Sequence, residues 1–163
     1  GVDRRIDVIA TAMRAGLKAA DLIDLDLAYA PPYGQAKDPV NQTGMVAHNV
    51  ATGELVLTGP NELSEDMPVL DVRTPGEYAA GHMPNSLNIP HTQLRDRLDE
   101  VQAWADENAG GQPFVVMCAA GVRSWIGYRI VRAAGFDVTM LSGGIQTLRA
   151  WLGDRADTVL VKE

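Results

Sequence analysis

A single cysteine, Cys118, stands among 163 residues, and that scarcity sets the first limits. One cysteine cannot close an intrachain disulfide, so stability must come from a packed core and the thiol stays free for chemistry in a reducing cytoplasm. Histidine is nearly as sparse. His48, His82 and His91 are scattered without metal-ligand spacing, and no metal site is expected. Three lysines against a formal charge of −7 leave no basic stripe, which excludes a nucleic-acid surface. The same acidity means that an anionic substrate has to be drawn by a local site, not by the overall field. No apolar run approaches the length of a membrane span and no basic-then-apolar leader opens the sequence, so neither a membrane partner nor export is expected. What is present, 46% apolar and 21% charged residues, suffices for one good-sized domain with an appendage.

The first fifty residues carry mixed signals. Ile6, Val8, Ile9, Ala12, Met13 and Leu17 suit one helical face that ends near Gly16. Ile23, Leu25, Leu27 and Tyr29 alternate with Asp24 and Asp26, a pattern that predicts a short strand. Pro31-Pro32 makes Ala30 to Gly34 a rigid turn, and Asp38 followed by Pro39 predicts a capped helix running to Asn49. These elements are too few to bury their own apolar faces, so the segment reads as a piece of something larger. Turn-rich residues follow, and the domain boundary is placed near Asn49 to Gly53, dividing the chain into residues 1–50 and 51–163.

Beyond the boundary, strand signals alternate with helix signals. Leu55 to Leu57, Val69 to Val72, Ser86 to Ile89, Phe114 to Met117 and Asp137 to Leu141 read as strands. Glu77 to Ala80, Thr92 to Asn108, Ser124 to Gly135 and a last stretch through Leu148 and Trp151 read as helices. This alternation predicts an α/β domain with a mainly parallel sheet covered on both faces, in which ligands gather at the carboxyl ends of strands.

Cys118-Ala119-Ala120-Gly121-Val122-Arg123 sits at one such end, between a buried strand and an amphipathic helix. A strand, short loop and helix N-terminus in succession aim backbone N–H groups at one spot and make an anion cradle. Those groups and Arg123 should lower the Cys118 pKa and make its thiolate a nucleophile at neutral pH. The alternative is a buried, inert cysteine, against which Gly121 and Arg123 at these offsets argue. His82, in a Gly-His-Met-Pro turn, is read as structural, Met117 and Met140 as core, and Trp125 as either pocket wall or core.

Two resemblances add to this reading. Val2 to Ala10, Leu27-Ala28-Tyr29-Ala30-Pro31-Pro32-Tyr33 and Lys37 to Asn41 resemble the end of the dimerisation domain of pyridine nucleotide-disulfide oxidoreductases, in the coenzyme A-disulfide reductase and persulfide reductase branch. The resemblance implies a homodimeric parent enzyme with an upstream flavoprotein domain using FAD, NAD(P)H and coenzyme A. It also implies a tyrosine reaching toward the partner's flavin site, with Tyr29 first by position and Tyr33 second; packing beside Pro31-Pro32 is the alternative for both. No Gly-x-Gly-x-x-Gly turn follows a strand in this sequence, so the chain is read as a C-terminal fragment that should not itself bind FAD.

Leu70-Asp71-Val72-Arg73-Thr74-Pro75-Gly76-Glu77-Tyr78 continuing to Gly81-His82-Met83-Pro84, then the Cys118 to Arg123 loop, then Leu141-Ser142-Gly143-Gly144, together resemble the rhodanese-like sulfurtransferase domain. The resemblance implies that Cys118 carries sulfane sulfur as a persulfide received from a small-molecule donor. It implies that Asp71 steadies the loop by hydrogen bonds, that Arg73 pairs locally with Glu77 as the partner in view, and that Ser124 supports the site. Three departures stand out. Ala119 occupies a position where arginine often helps bind thiosulfate, which favours a larger or less charged donor such as a coenzyme A or glutathione persulfide. Asn85 and Leu148 replace a common glycine and tryptophan, read as packing changes. The loop is also one residue shorter than related phosphatase and arsenate-reductase loops, which suits a single sulfur atom and crowds a phosphate. A catalytically silent docking module is the remaining alternative.

Overall fold

The computed structural model describes residues 1–32, 34 and 37–163; Tyr33 lies outside the described residues. The chain forms two compact units, Gly1–Leu55 and Val56–Glu163.

The second unit is built on five strands: β1 (Leu57–Thr58), β2 (Val69–Asp71), β3 (Ser86–Asn88), β4 (Phe114–Met117) and β5 (Val138–Leu141). They pair in the order β1-β5-β4-β2-β3, every neighbour parallel. β2 and β4 are buried at every position; β4 reads as an unbroken apolar run, while β2 ends on the buried Asp71. Parallel pairing needs crossovers, supplied here by α4 (Pro75–Ala79), α5 (Leu98–Asn108) and α6 (Val122–Ala133), while α7 (Gly144–Leu152) follows the last strand.

Side chains along β4 alternate between two cores. Val115 and Met117 join Val69, Met83, Leu141, Ile145, Leu148 and Leu160. On the other side the Phe114 ring meets Trp104 at 5.5 Å and Phe136 at 5.8 Å, both edge-on. There Gly127 of α6 lies so close to the sheet that a Cβ would stand 3.1 Å from Val72 and 3.3 Å from Val116. Helices therefore cover both faces. Each fully buried Val, Leu or Ile contributes on the order of 1.5–3 kcal/mol.

Local details depart from the sequence expectations. The first strand sits at Leu57–Thr58, fixed by Met140 N–H to the Val56 carbonyl and Ser142 N–H to the Thr58 carbonyl. The helix expected from Thr92 begins as a 3-10 turn, Leu94–Arg97, before α5. After α7 the chain adds a 3-10 turn, Gly153–Arg155, and a short helix, α8 (Ala156–Val159). Val161 then bridges His82 with N–H···O bonds in both directions, and Leu160 is buried beneath.

Among the described residues, the first unit contains three helices: α1 (Val2–Arg14), α2 (Ala19–Ile23) and α3 (Pro39–Ala51). Asp38 caps α3 as its residue type predicts, accepting from the Val40 N–H at 2.9 Å, with Pro39 at the first helical position. The strand expected over Ile23–Tyr29 is not formed. α2 claims Ile23, and residues 25–30 run without a ladder partner. The Asn41 side-chain amide instead donates to the carbonyls of Leu22, Ile23 and Leu25 at 3.0, 3.1 and 3.0 Å, using up groups a ladder would need. The apolar periodicity of α1 is present but uncovered in this chain: Ile6 and Met13 are exposed and only Ala12 is buried.

Candidate active site at the end of the central strand

The chain leaves β2 for β3 on one side, then returns past β2 to β4 on the other. Connections diverge at the carboxyl ends of β2 and β4, the place where open α/β sheets form a crevice. Register puts Asp71 opposite Met117, so Cys118 emerges directly beyond that pair.

Cys118 is 1% exposed, and its sulfur occupies the place a capping side chain would take at the start of α6. The Gly121 N–H donates to Sγ at 3.2 Å, and Sγ lies 3.4 Å from the Ser124 hydroxyl. Gly121 adopts φ +120, a conformation that β-carbon-bearing residues rarely take, and this turns its N–H inward. Ser124 is fully buried and donates to the Gly121 carbonyl at 2.8 Å, tying the two halves of the loop together. Burial pushes the Cys118 thiol up. The Ser124 hydroxyl and the N–H groups of Gly121, Ser124 and Ala120 outweigh it, and the thiol sits below its ordinary value. The arrangement can therefore present a thiolate inside a ring of donors.

The N-terminus of α7 holds the loop from behind. Ile145 N–H donates to the Cys118 carbonyl at 2.9 Å and Gln146 N–H to that of Ala119 at 3.1 Å. Gly144 permits this approach. A Cβ there would fall 2.5 Å from the Cys118 carbonyl oxygen, and its φ is +61.

Two expected contacts are corrected. Asp71 does not bond the loop: its carboxylate accepts from the Arg73 N–H, Nε and Nη2, the last at 2.5 Å. Arg73 takes Asp71 as its ionic partner, not Glu77, and donates onward to the Glu77 and Gly81 carbonyls at 2.8 and 2.9 Å. Both charges are buried, at 0% and 4% exposure, so the pair acts as an internal staple between β2 and α4. The Glu77 carboxylate instead meets Arg123 through two bonds of 2.7 Å. The Arg123 guanidinium holds the Glu77 carboxyl down to about 2. Arg123 thus belongs to the loop but faces a carboxylate rather than closing the cradle with free donors.

Of the other loop residues, Ala119 is half-buried, while Ala120 and Val122 are exposed. His82 is buried and stacked on Tyr78 at 3.8 Å between ring centres. Trp125 is half-buried and stacks with Tyr128 at 5.8 Å. Tyr29 lies in the first unit, 54% exposed, lining an open groove with Arg4, Arg5 and Asp38. Sequence reasoning set Glu77 beside Arg73, not Arg123, and did not place Gly144 against the Cys118 loop. Thr74-Pro75-Gly76-Glu77 is a legible capping box, but its pairing with Arg123 spans 46 residues. Among the described residues no group of His, Cys, Asp and Glu could hold a metal ion, and no helix is long and apolar enough to cross a membrane.

The model of the rhodanese-like domain family matches residues 59–150. Among solved structures, the reduced CoADR-RHD of Bacillus anthracis is similar with a TM-score of 0.84 and 38% identity, over 94% of this chain and 27% of that one. An NAD-dependent persulfide reductase from A. fulgidus is similar with a TM-score of 0.77 and 42% identity, over 89% of this chain and 25% of that one. Coenzyme A disulfide reductase of Staphylococcus haemolyticus is 46% identical over 50 residues, 31% of this chain and 11% of that protein. The chain thus spans about a quarter or less of the length of these relatives.

Proposed function

The chain belongs to the rhodanese-like domain family, and from that premise we propose that residues 51–163 act as a sulfurtransferase carrying sulfane sulfur as a Cys118 persulfide. The carrying observation is the sulfur itself, held by the Gly121 N–H and beside the Ser124 hydroxyl, with its thiol below the ordinary value. In the loading step the Cys118 thiolate attacks the outer sulfur of a donor R–S–S–H. A bond forms between the two sulfurs, the donor's S–S bond breaks, and R–S⁻ leaves with the electron pair. In the unloading step an acceptor thiolate attacks the same outer sulfur, and the Cys118 thiolate departs into its ring of N–H groups. No oxidant is needed in either direction. Ser124 can turn its hydroxyl from the Gly121 carbonyl toward the sulfur when the thiolate re-forms. Ala119 leaves the loop without a second cation, which favours a coenzyme A or glutathione persulfide over thiosulfate.

The similarity to coenzyme A disulfide and persulfide reductases supports a place for this domain in a longer cytoplasmic, homodimeric flavoprotein, with residues 1–50 ending its dimerisation domain. FAD, NAD(P)H and coenzyme A would serve that whole enzyme, and Tyr29 would reach toward the partner's flavin site. The residues of this chain do not fit a dinucleotide, since the sequence holds no Gly-x-Gly-x-x-Gly turn. Sulfur carriage is tested by intact mass after incubation with a persulfide donor, beside a Cys118→Ser control. A gain of one sulfur atom, reversed by reductant and absent from the control, is expected. No gain with any donor contradicts the reading and leaves a docking module.

A further inference from the structure

Both terminal nitrogens of Arg123 are engaged by one carboxylate: Nη1 donates to Glu77 Oε2 and Nη2 to Oε1, each at 2.7 Å. Glu77 is fixed in turn, because Oε2 also accepts from the Thr74 N–H at 3.1 Å and the Thr74 hydroxyl at 2.8 Å. The carboxylate that closes the capping box of α4 is the one that faces the loop's cation. Ala119, Ala120, Gly121 and Val122 bring no charge of their own.

We propose that Glu77 is a positioning residue that sets donor selectivity: by cancelling the Arg123 charge at the Cys118 loop, it favours sulfane-sulfur carriers whose reacting end bears little charge and turns away donors, such as thiosulfate, that bring a dianion to the sulfur. The inference rests on the sulfurtransferase reading above and adds the group that decides which donors are taken. Arg123 lies within electrostatic reach of the sulfur. Its guanidinium is held above the ordinary value first by Glu77, against burial, with Cys118 adding to the effect. A dianion approaching that guanidinium would meet a cation already paired through two bonds, with the Glu77 carboxylate's own charge beside it. The chemistry itself is open to either donor. With thiosulfate the Cys118 thiolate attacks the sulfane sulfur, the S–S bond breaks, and sulfite leaves with the electron pair.

The test compares loading rates, read by rapid quench and intact mass, for thiosulfate and for N-acetylcysteamine persulfide, whose charge is at most one. Glu77→Gln should raise the ratio of thiosulfate to N-acetylcysteamine persulfide rates about tenfold, the order expected when one charge facing a dianion is uncovered at a partly screened site. Glu77→Asp keeps the charge and should hold the ratio within about twofold of wild type. A ratio unmoved in Glu77→Gln overturns the inference. Wild-type protein gives a second reading that needs no variant to fold. With Arg123 neutralised, the −7 chain repels thiosulfate, so added salt should quicken its loading or leave it unchanged. Slowing by salt would reveal an uncovered cation and also overturn it. If no donor loads the wild-type protein, the sulfurtransferase reading fails and takes this inference with it. If both donors load and the ratio stays put, only the role of Glu77 falls.

Discussion

Arg73 and Arg5 are each paired with an aspartate, yet the Arg73 side chain is 4% exposed and the Arg5 side chain 33%. That difference separates the two units. In the second unit one ion pair is taken inside, although Arg97–Glu100 and Lys162–Asp157 stay at the surface. Asp71 accepts from three Arg73 nitrogens, and Arg73 donates further to two carbonyls around α4. In the first unit, polar contacts stay near the surface. Arg5 clamps Asp38 at 2.9 Å and Asn41 gathers stray carbonyls, while Val2, Ile6, Met13, Leu17, Val46 and Val50 remain exposed. A sheet with both faces covered can afford a buried ion pair. Three helices with little core cannot, and their ion pairs work at the rim.

The sharpest way to break the contrast is Asp71→Ala. It leaves a guanidinium buried without its counter-charge, so a loss of about 3–5 kcal/mol is expected for the second unit. All three tryptophans, Trp104, Trp125 and Trp151, lie in that unit, so the midpoint of denaturation followed by tryptophan fluorescence isolates it. A shift under about 1 kcal/mol would show that the pair behaves like a surface bridge. Next comes Gly144→Ala, which drives a Cβ into the Cys118 carbonyl at a positive φ. About 2 kcal/mol of destabilisation is expected, together with slower sulfur loading, because α7 can no longer seat against the loop.

Asp38→Ala probes the other unit. Losing the α3 cap and the Arg5 contact should lower the transition midpoint of the helical circular-dichroism signal and leave that of tryptophan fluorescence in place. The smallest effect belongs to Glu77. Its carboxyl titrates at about 2 in the folded chain against an ordinary 4.5, so its stabilisation is complete above the higher value and lost as pH falls toward the lower. The side chain is 38% exposed, and after screening the contribution should not exceed about 1 kcal/mol. Acid titration of wild type against Glu77→Gln measures it, the variant lacking that part of the acid dependence.

Legibility in the sequence followed the range of the interaction. Phe114–Met117 could be read as a buried strand because four apolar residues in a row leave no other face to expose. Asp38-Pro39 announced α3 because capping is local chemistry. The alternation over Ile23–Tyr29 misled, since a strand needs a neighbour and Asn41 had already claimed the carbonyls. The tail after Leu152 carried no periodic signal; its order comes from pairing with His82, far away in the chain. At the site, the Cys118 loop was legible as a motif. The exchange of partners among Asp71, Arg73, Glu77 and Arg123 was not, because two carboxylates and two guanidiniums can pair in more than one way and only the fold selects.

Underlying all of this is one balance at Cys118, where burial opposes ionisation and the loop's donors favour it. The pH dependence of Cys118 alkylation by iodoacetamide tests it most directly. Limited access slows the reaction equally at every pH, so the midpoint, not the rate, reports the thiolate. A midpoint below that of an unstructured cysteine peptide, moving upward in Ser124→Ala, is the predicted result. A midpoint at or above the peptide's would mean that burial wins, and that the loop shelters an inert thiol instead of activating one.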